Sequence, residues 1–200
     1  MYNIRSMERI GSNGLQSILA AMNDQLKISA ASVHLVVIGG SGLIAIDAVD
    51  RTTRDVDVVA LEVEGELISA EPMPQAVLDA ATTVARDFGL ESNWLNAGPT
   101  SLLLHGLPDG FVDRLTRQDF GDALRVSFAS RIDQVFLKLY AAADRRESRD
   151  FADLRRLEPS DEELRAAAAW ARTHNMPGPF DEEMARALAD LGVEDEGRIA

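Results

Sequence analysis

Two hundred residues suffice for one substantial core or for two modest domains sharing a cleft, and a chain that is 46% hydrophobic and 26% charged has the composition of a folded globular protein. The formal net charge of −13 argues against a broad electrostatic grip on DNA or RNA, because phosphate neutralisation by Lys and Arg supplies most non-specific affinity. Cysteine is absent, which excludes disulfides, thiolate nucleophiles and thiolate metal sites.

Met1 to Gly11 carries charges but no apolar core of signal-peptide length. The longest apolar region is broken by His34, Gly39, Gly40 and Asp47, so a cytosolic location without a membrane partner is expected. From Gly14 to Lys27, Leu15, Ile18, Leu19, Met22 and Leu26 recur at helical spacing. Val33 to Ile38 is short, apolar and β-branched, as in a buried strand, and ends at Gly39-Gly40. Ser41 is placed to cap a helix running to about Val49. Asp55 to Leu61 is a second β-rich run, followed by a polar, proline-punctuated connection from Glu62 to Pro74.

Gln75 to Phe88 returns to helical spacing and stops at Gly89. Short strands are predicted at Ser101 to Leu104, Phe111 to Thr116 and Leu124 to Phe128. Beyond Ser130 the pattern is helical, over Arg131 to Arg145, Arg149 to Leu157, Asp161 to His174 and Asp181 to Leu191, with a frayed tail from Glu194 to Ala200. The expected organisation is α+β: a mixed sheet flanked by helices over residues 1–128, then a helical subdomain over residues 129–200.

Chemistry concentrates between Val33 and Leu61. Residues i and i+2 of a strand share a face, so Asp55 and Asp57 would present their carboxylates side by side while Val56 and Val58 pack inward. Two such charges repel and raise each other's pKa unless a cation lies between them, and Mg²⁺ prefers carboxylate and phosphate oxygens. Gly39, Gly40 and Ser41 would offer backbone N–H groups and a hydroxyl to a triphosphate, while Arg51, Thr53 and Arg54 would contact phosphate or brace the carboxylates. The competing reading of the aspartates is a solvated strand end. Further on, Lys138 and Arg145 lie seven residues apart and share a helical face with Arg131; they either neutralise phosphates or form exposed pairs with Asp133 and Asp144. Asp150 and Asp153, early in the next helix, serve either the helix dipole or a site.

Gly39-Gly40-Ser41 followed by Arg51-Thr52-Thr53-Arg54-Asp55-Val56-Asp57 resembles the signature of the DNA polymerase β-type nucleotidyltransferase superfamily. The Arg-x-Thr-x-Asp-x-Asp form is closest to its AbiEii-like toxin branch and related uncharacterised bacterial nucleotidyltransferases. Lys138-Leu139-Tyr140-Ala141-Ala142, then Arg145, Arg149-Asp150 and Asp153-Leu154, is similar to a downstream segment of that branch, and Trp94-Leu95-Asn96 has the look of the uncharacterised relatives.

The resemblance spans roughly Ser32 to Leu157. It implies transfer of an NMP or phosphoryl group from an NTP, with Asp55 and Asp57 holding Mg²⁺ and Gly39, Gly40, Ser41, Arg51, Thr53, Lys138, Arg145 and Asp150 binding the nucleotide. It implies a third carboxylate on a later strand, for which Asp113 is best placed, although Arg114 is an equal candidate for that strand's functional residue. The acceptors it implies are tRNA, a protein or a small hydroxylated molecule, and a toxin would have a cognate antitoxin as partner.

Two rival readings remain. Gly40-Ser41-Gly42-Leu43-Ile44-Ala45 also fits a dinucleotide-binding turn, with Glu62 as the ribose-binding acid. A non-catalytic binding or antitoxin-like protein could keep the same shape, its acidic surface suiting a basic partner.

Overall fold

The computed structural model describes residues 9–174 and 178–195. Most of Met1 to Gly11 and of the tail after Glu194 therefore lies outside the described residues. The chain divides into two compact units, one comprising Met1–Gly106 with Arg114–Ala129 and the other Leu107–Asp113 with Ser130–Ala200.

The first unit is built on a six-stranded mixed sheet. Helix α1 (Ser12–Ile28) buries Leu15, Ile18, Leu19, Met22 and Leu26, the predicted stripe, and packs against α3 (Gln75–Phe88). Strand β1 (Val33–Ile38) lies at the centre, with Leu35 to Ile38 buried. Its neighbours are β2 (Val56–Val63), antiparallel, and β6 (Leu124–Phe128), parallel. Strand β3 (Glu66–Ile68) extends the sheet beyond β2, and β5 (Thr116–Asp119) extends it beyond β6. The two-residue strand β4 (Leu95–Asn96) runs parallel to the start of β2.

The antiparallel pairing of β1 with β2 removes the dinucleotide-binding alternative, since a doubly wound βαβ unit requires those strands to be parallel. Glu62, the acid that alternative needed, instead lies 3.4 Å from His34 Nε2 and 3.7 Å from the Arg117 guanidinium.

Several elements differ from expectation. Helix α2 (Gly39–Ala45) starts two residues before Ser41, so Ser41 is inside the helix rather than its cap, and it stops short of Val49. The expected connection after Glu62 contains the Glu64-Gly65 turn of a β2–β3 hairpin, with both turn residues at positive φ. In place of a strand at Ser101 to Leu104 there is a 3₁₀ turn (Gly98–Ser101) running into the four-residue helix α4 (Leu102–His105). Phe111 to Thr116 is likewise no strand: Val112–Arg114 forms a 3₁₀ turn and β5 begins only at Thr116.

In the second unit, α5 (Arg131–Arg145) contacts α6 (Ser148–Leu157), α7 (Asp161–Arg172) and α8 (Pro179–Asp190). The Ser130 hydroxyl accepts from Asp133 N at the start of α5, and Ser160 with Glu163 forms a reciprocal capping box on α7. Among the described residues no helix is long and apolar enough to cross a membrane.

Candidate functional site

The register of β1 against β2 brings the glycine turn and the aspartates together. Val36 pairs with Ala60 but Val37 pairs with Val58, so Val59 is an extra residue on β2 and Ile38 faces Asp57. Asp57 thereby stands opposite the last residue of β1, beside Gly39. Gly39 has φ +70°, and a β-carbon there would come within 2.5 Å of Asp57 Oδ2. A β-carbon on Gly40 would lie 2.9 Å from Thr53 Oγ1 and 3.1 Å from an Arg51 guanidinium nitrogen. The glycine pair is thus the floor on which the acidic strand and its preceding loop rest.

That loop is held in place from several sides. Ile10 and Thr53 exchange both backbone hydrogen bonds, at 2.8 and 2.9 Å, which anchors residues 51–55. Thr53, only 4% exposed, donates its hydroxyl to Asp55 Oδ1 at 2.9 Å. Arg51 donates to the Thr52 carbonyl at 3.1 Å. Asp55 and Asp57 are each half-buried, on either side of fully buried Val56.

The structure adds Asn96 to this group. Asn96 is the cross-strand partner of Asp57 and donates its amide to Asp57 Oδ1 at 3.1 Å, while its own Oδ1 accepts from Gly98 N at 3.0 Å. Trp94 fixes β4 from behind: its ring is fully buried and its indole N–H donates to the Ala81 carbonyl of α3 at 3.0 Å. A two-residue strand has no readable period, so the available signal was the Trp-Leu-Asn string before Gly98-Pro99.

Asp55 and Asp57 fit a hard divalent cation by donor chemistry: two carboxylates, of which Asp55 accepts from the Thr53 hydroxyl and Asp57 from the Asn96 amide, donors that orient them and bring no charge of their own. Among the described residues no group of three or more His, Asp or Glu side chains could hold a metal by itself. Further ligands would come from water and substrate phosphates, the usual pattern for Mg²⁺. Ser41 is fully buried and its hydroxyl has no hydrogen-bond partner.

The remaining expected site residues lie in the second unit. Asp113 is exposed on the 3₁₀ turn rather than carried on a strand. Lys138 is 7% exposed and sits between two buried carboxylates, with Nζ 2.7 Å from Asp150 and 2.9 Å from Asp153. Arg145 lies 3.6 Å from Asp150 with its own side chain largely in solvent. Arg131 departs from the expected cationic stripe: its guanidinium donates to the carbonyls of Leu157 and Glu158, both at 2.8 Å, and to the Glu163 carboxylate, clamping the α6–α7 corner. The hydrogen bond from Arg131 first, and that from the Ser160 backbone N–H, hold the Glu163 carboxyl below its usual range.

A cleft of about 620 Å³ opens at the other end of β1, beside His34, Glu62, Asp119 and Arg125. Its lining includes neither the glycine pair nor the two aspartates. The chemistry of the residues, rather than the volume of this cleft, places the candidate site at Gly39 and Asp57. Beside the cleft, His34 Nε2 meets the Ser127 hydroxyl at 2.6 Å, and burial lowers the His34 pKa despite the neighbouring Glu62.

Comparison with known proteins agrees with this architecture. Residues 13–162 match the profile of a family described as nucleotidyltransferase of unknown function, DUF6036. The fold is similar to the crystal structure of an antigenic nucleotidyltransferase-like protein from Paracoccidioides brasiliensis, with a TM-score of 0.51 and 14% identity over 94% of this chain and 96% of that one. No curated protein matches the sequence.

Proposed function

The chain belongs to this family of nucleotidyltransferases, and from that premise we propose that it transfers a nucleoside monophosphate or phosphoryl group from an NTP to a hydroxyl-bearing acceptor. The observation that carries the reading is the seating of Asp57 against Gly39 and of Thr53 and Arg51 against Gly40, which gathers two carboxylates and a cation at one sheet end. Asp55 and Asp57 would hold Mg²⁺, which when bound supplies charge neutralisation at the phosphates and braces an in-line displacement. Arg51 would bind phosphate oxygens, and Thr53 and Asn96 keep the two carboxylates aimed. In nucleotidyl transfer the acceptor oxygen bonds to the α-phosphorus as the bond to pyrophosphate breaks.

A net charge of −13 favours an acceptor gripped locally over a long nucleic acid followed by its backbone. A folded RNA such as tRNA, modified in the manner of a toxin, is the acceptor class to test first. The experiment is incubation with each NTP, labelled in separate reactions at the α- or the γ-phosphate, with Mg²⁺ and a mixed tRNA pool, beside Asp55→Asn. Label on RNA with the wild type alone is the expected result, and Asp113→Asn in the same assay tests its expected part as the third carboxylate. Wild-type protein that labels neither RNA, protein nor small hydroxylated acceptors would instead be a binding module.

A further inference from the structure

We infer that Asn96 is a positioning residue of the carboxylate pair: its side-chain amide orients Asp57 and thereby raises the affinity of the site for a divalent cation. This rests on the reading of Asp55 and Asp57 as the metal-binding pair.

Asn96 is placed with more constraint than a surface residue needs. Its strand, β4, consists of only two residues, yet the Trp94 ring is buried against α3 with its N–H bonded to Ala81 O, and Leu95 is buried beside it. The backbone pairing with β2 sets Asn96 opposite Asp57, and not opposite Val56 or Val58. A side-chain amide looks similar either way round, but here the assignment is determined. Gly98 N can only donate, so the Asn96 atom it meets at 3.0 Å is the carbonyl oxygen, and the NH₂ group must face Asp57 Oδ1.

The choice of an amide has a chemical consequence. An Arg or Lys at residue 96 would orient Asp57 equally well, but its charge would oppose a cation at the same carboxylate. An Asp or Glu there would repel Asp57. A neutral donor, itself locked by a backbone N–H, orients Asp57 and adds no positive charge of its own. Thr53 likewise gives Asp55 an uncharged donor, at 2.9 Å. Residues that orient a metal-binding carboxylate in this way typically affect affinity by about 10–100-fold.

The test is Mn²⁺ binding, followed by the loss of the free-ion EPR signal, in the full-length wild type, Asp57→Asn, Asn96→Ala and Asn96→Asp. The expected result is binding by the wild type, none by Asp57→Asn, and about 10–100-fold weaker binding by Asn96→Ala at an unchanged midpoint of metal-free thermal unfolding. A residue with a purely structural part would lower the unfolding midpoint and leave affinity per folded molecule as it was. Asn96→Ala that binds Mn²⁺ as tightly as the wild type overturns the assignment of Asn96 alone. A wild type that binds no Mn²⁺ overturns the metal-site reading together with it. Should the alanine variant fail to fold, the isosteric Asn96→Asp decides, since it keeps the acceptor for Gly98 N. Because that variant loses the amide donor and repels Asp57, weaker Mn²⁺ binding supports the positioning role, and binding as tight as that of the wild type or tighter overturns it.

Discussion

Asp57 Oδ2 occupies the space where a side chain on Gly39 would begin, 2.5 Å from the would-be β-carbon. The glycine is therefore required by the aspartate as well as by its own φ of +70°. Gly39→Ala meets two penalties, an unfavourable left-handed backbone worth about 1–3 kcal/mol and a contact that pushes Asp57 off its Asn96 hydrogen bond. The expected outcome is a lowered denaturation midpoint together with lost Mn²⁺ binding. A variant with wild-type affinity would show that Asp57 does not depend on this contact.

Lys138 is the shared cation of Asp150 and Asp153, which are 2% and 1% exposed. Replacing it with Met leaves two buried carboxylates without their common partner and should cost about 3–5 kcal/mol. Chemical denaturation followed by far-UV circular dichroism measures this, since most of the helices of the second unit pack on α5. An unchanged midpoint would mean that the ion cluster contributes little and that Lys138 acts elsewhere.

His34 gives a prediction in pH. Burial lowers its pKa from 6.5 in the folded state, so below that value the unfolded chain binds a proton that the folded chain does not. Stability should fall as pH drops through 6.5 and keep falling until the lowered folded-state value is reached. Thermal melts of the wild type and His34→Gln between pH 5 and 8 test this, with the slope due to His34 absent in the variant. Parallel curves for the two proteins would contradict it.

Asn23, 4% exposed on α1, accepts from the backbone N–H groups of Ala123 and Leu124 at 3.0 and 3.2 Å. Asn23→Ala strands both donors in a dry environment, at about 1–3 kcal/mol each if no water enters. Asn23→Asp retains an acceptor and should recover most of the loss. Equal destabilisation by both variants would argue that the packing of Asn23 against Gly121, and not its acceptor, is what counts.

Elements with a clear local signature were legible in the sequence: the α1 stripe, the apolar run of β1 ending in a glycine pair, the helix closed by Gly89, and the helical series after Ser130. Segments without one fold otherwise than their local pattern predicts. Ser101 to Leu104 is apolar enough for a strand but follows a Gly-Pro turn into a single helical turn, and Phe111 to Thr116 lacks a neighbour to pair with before Thr116. Asp55 and Asp57 were visible as a pair because i and i+2 is itself a local relation. Asn96 was visible only as part of a string, because its significance comes from a residue 39 positions away.

The sequence by itself determined the composition of the α+β chain, the excluded thiol chemistry, the acidic pair and the glycine turn before it, all properties carried by neighbouring residues. Only the tertiary structure decided that β1 and β2 run antiparallel, that a bulge at Val59 sets Asp57 opposite Ile38, and that Lys138 lies between two buried carboxylates. Strand direction, register and the burial of a charge depend on which distant segments share the core, and local pattern does not encode that choice.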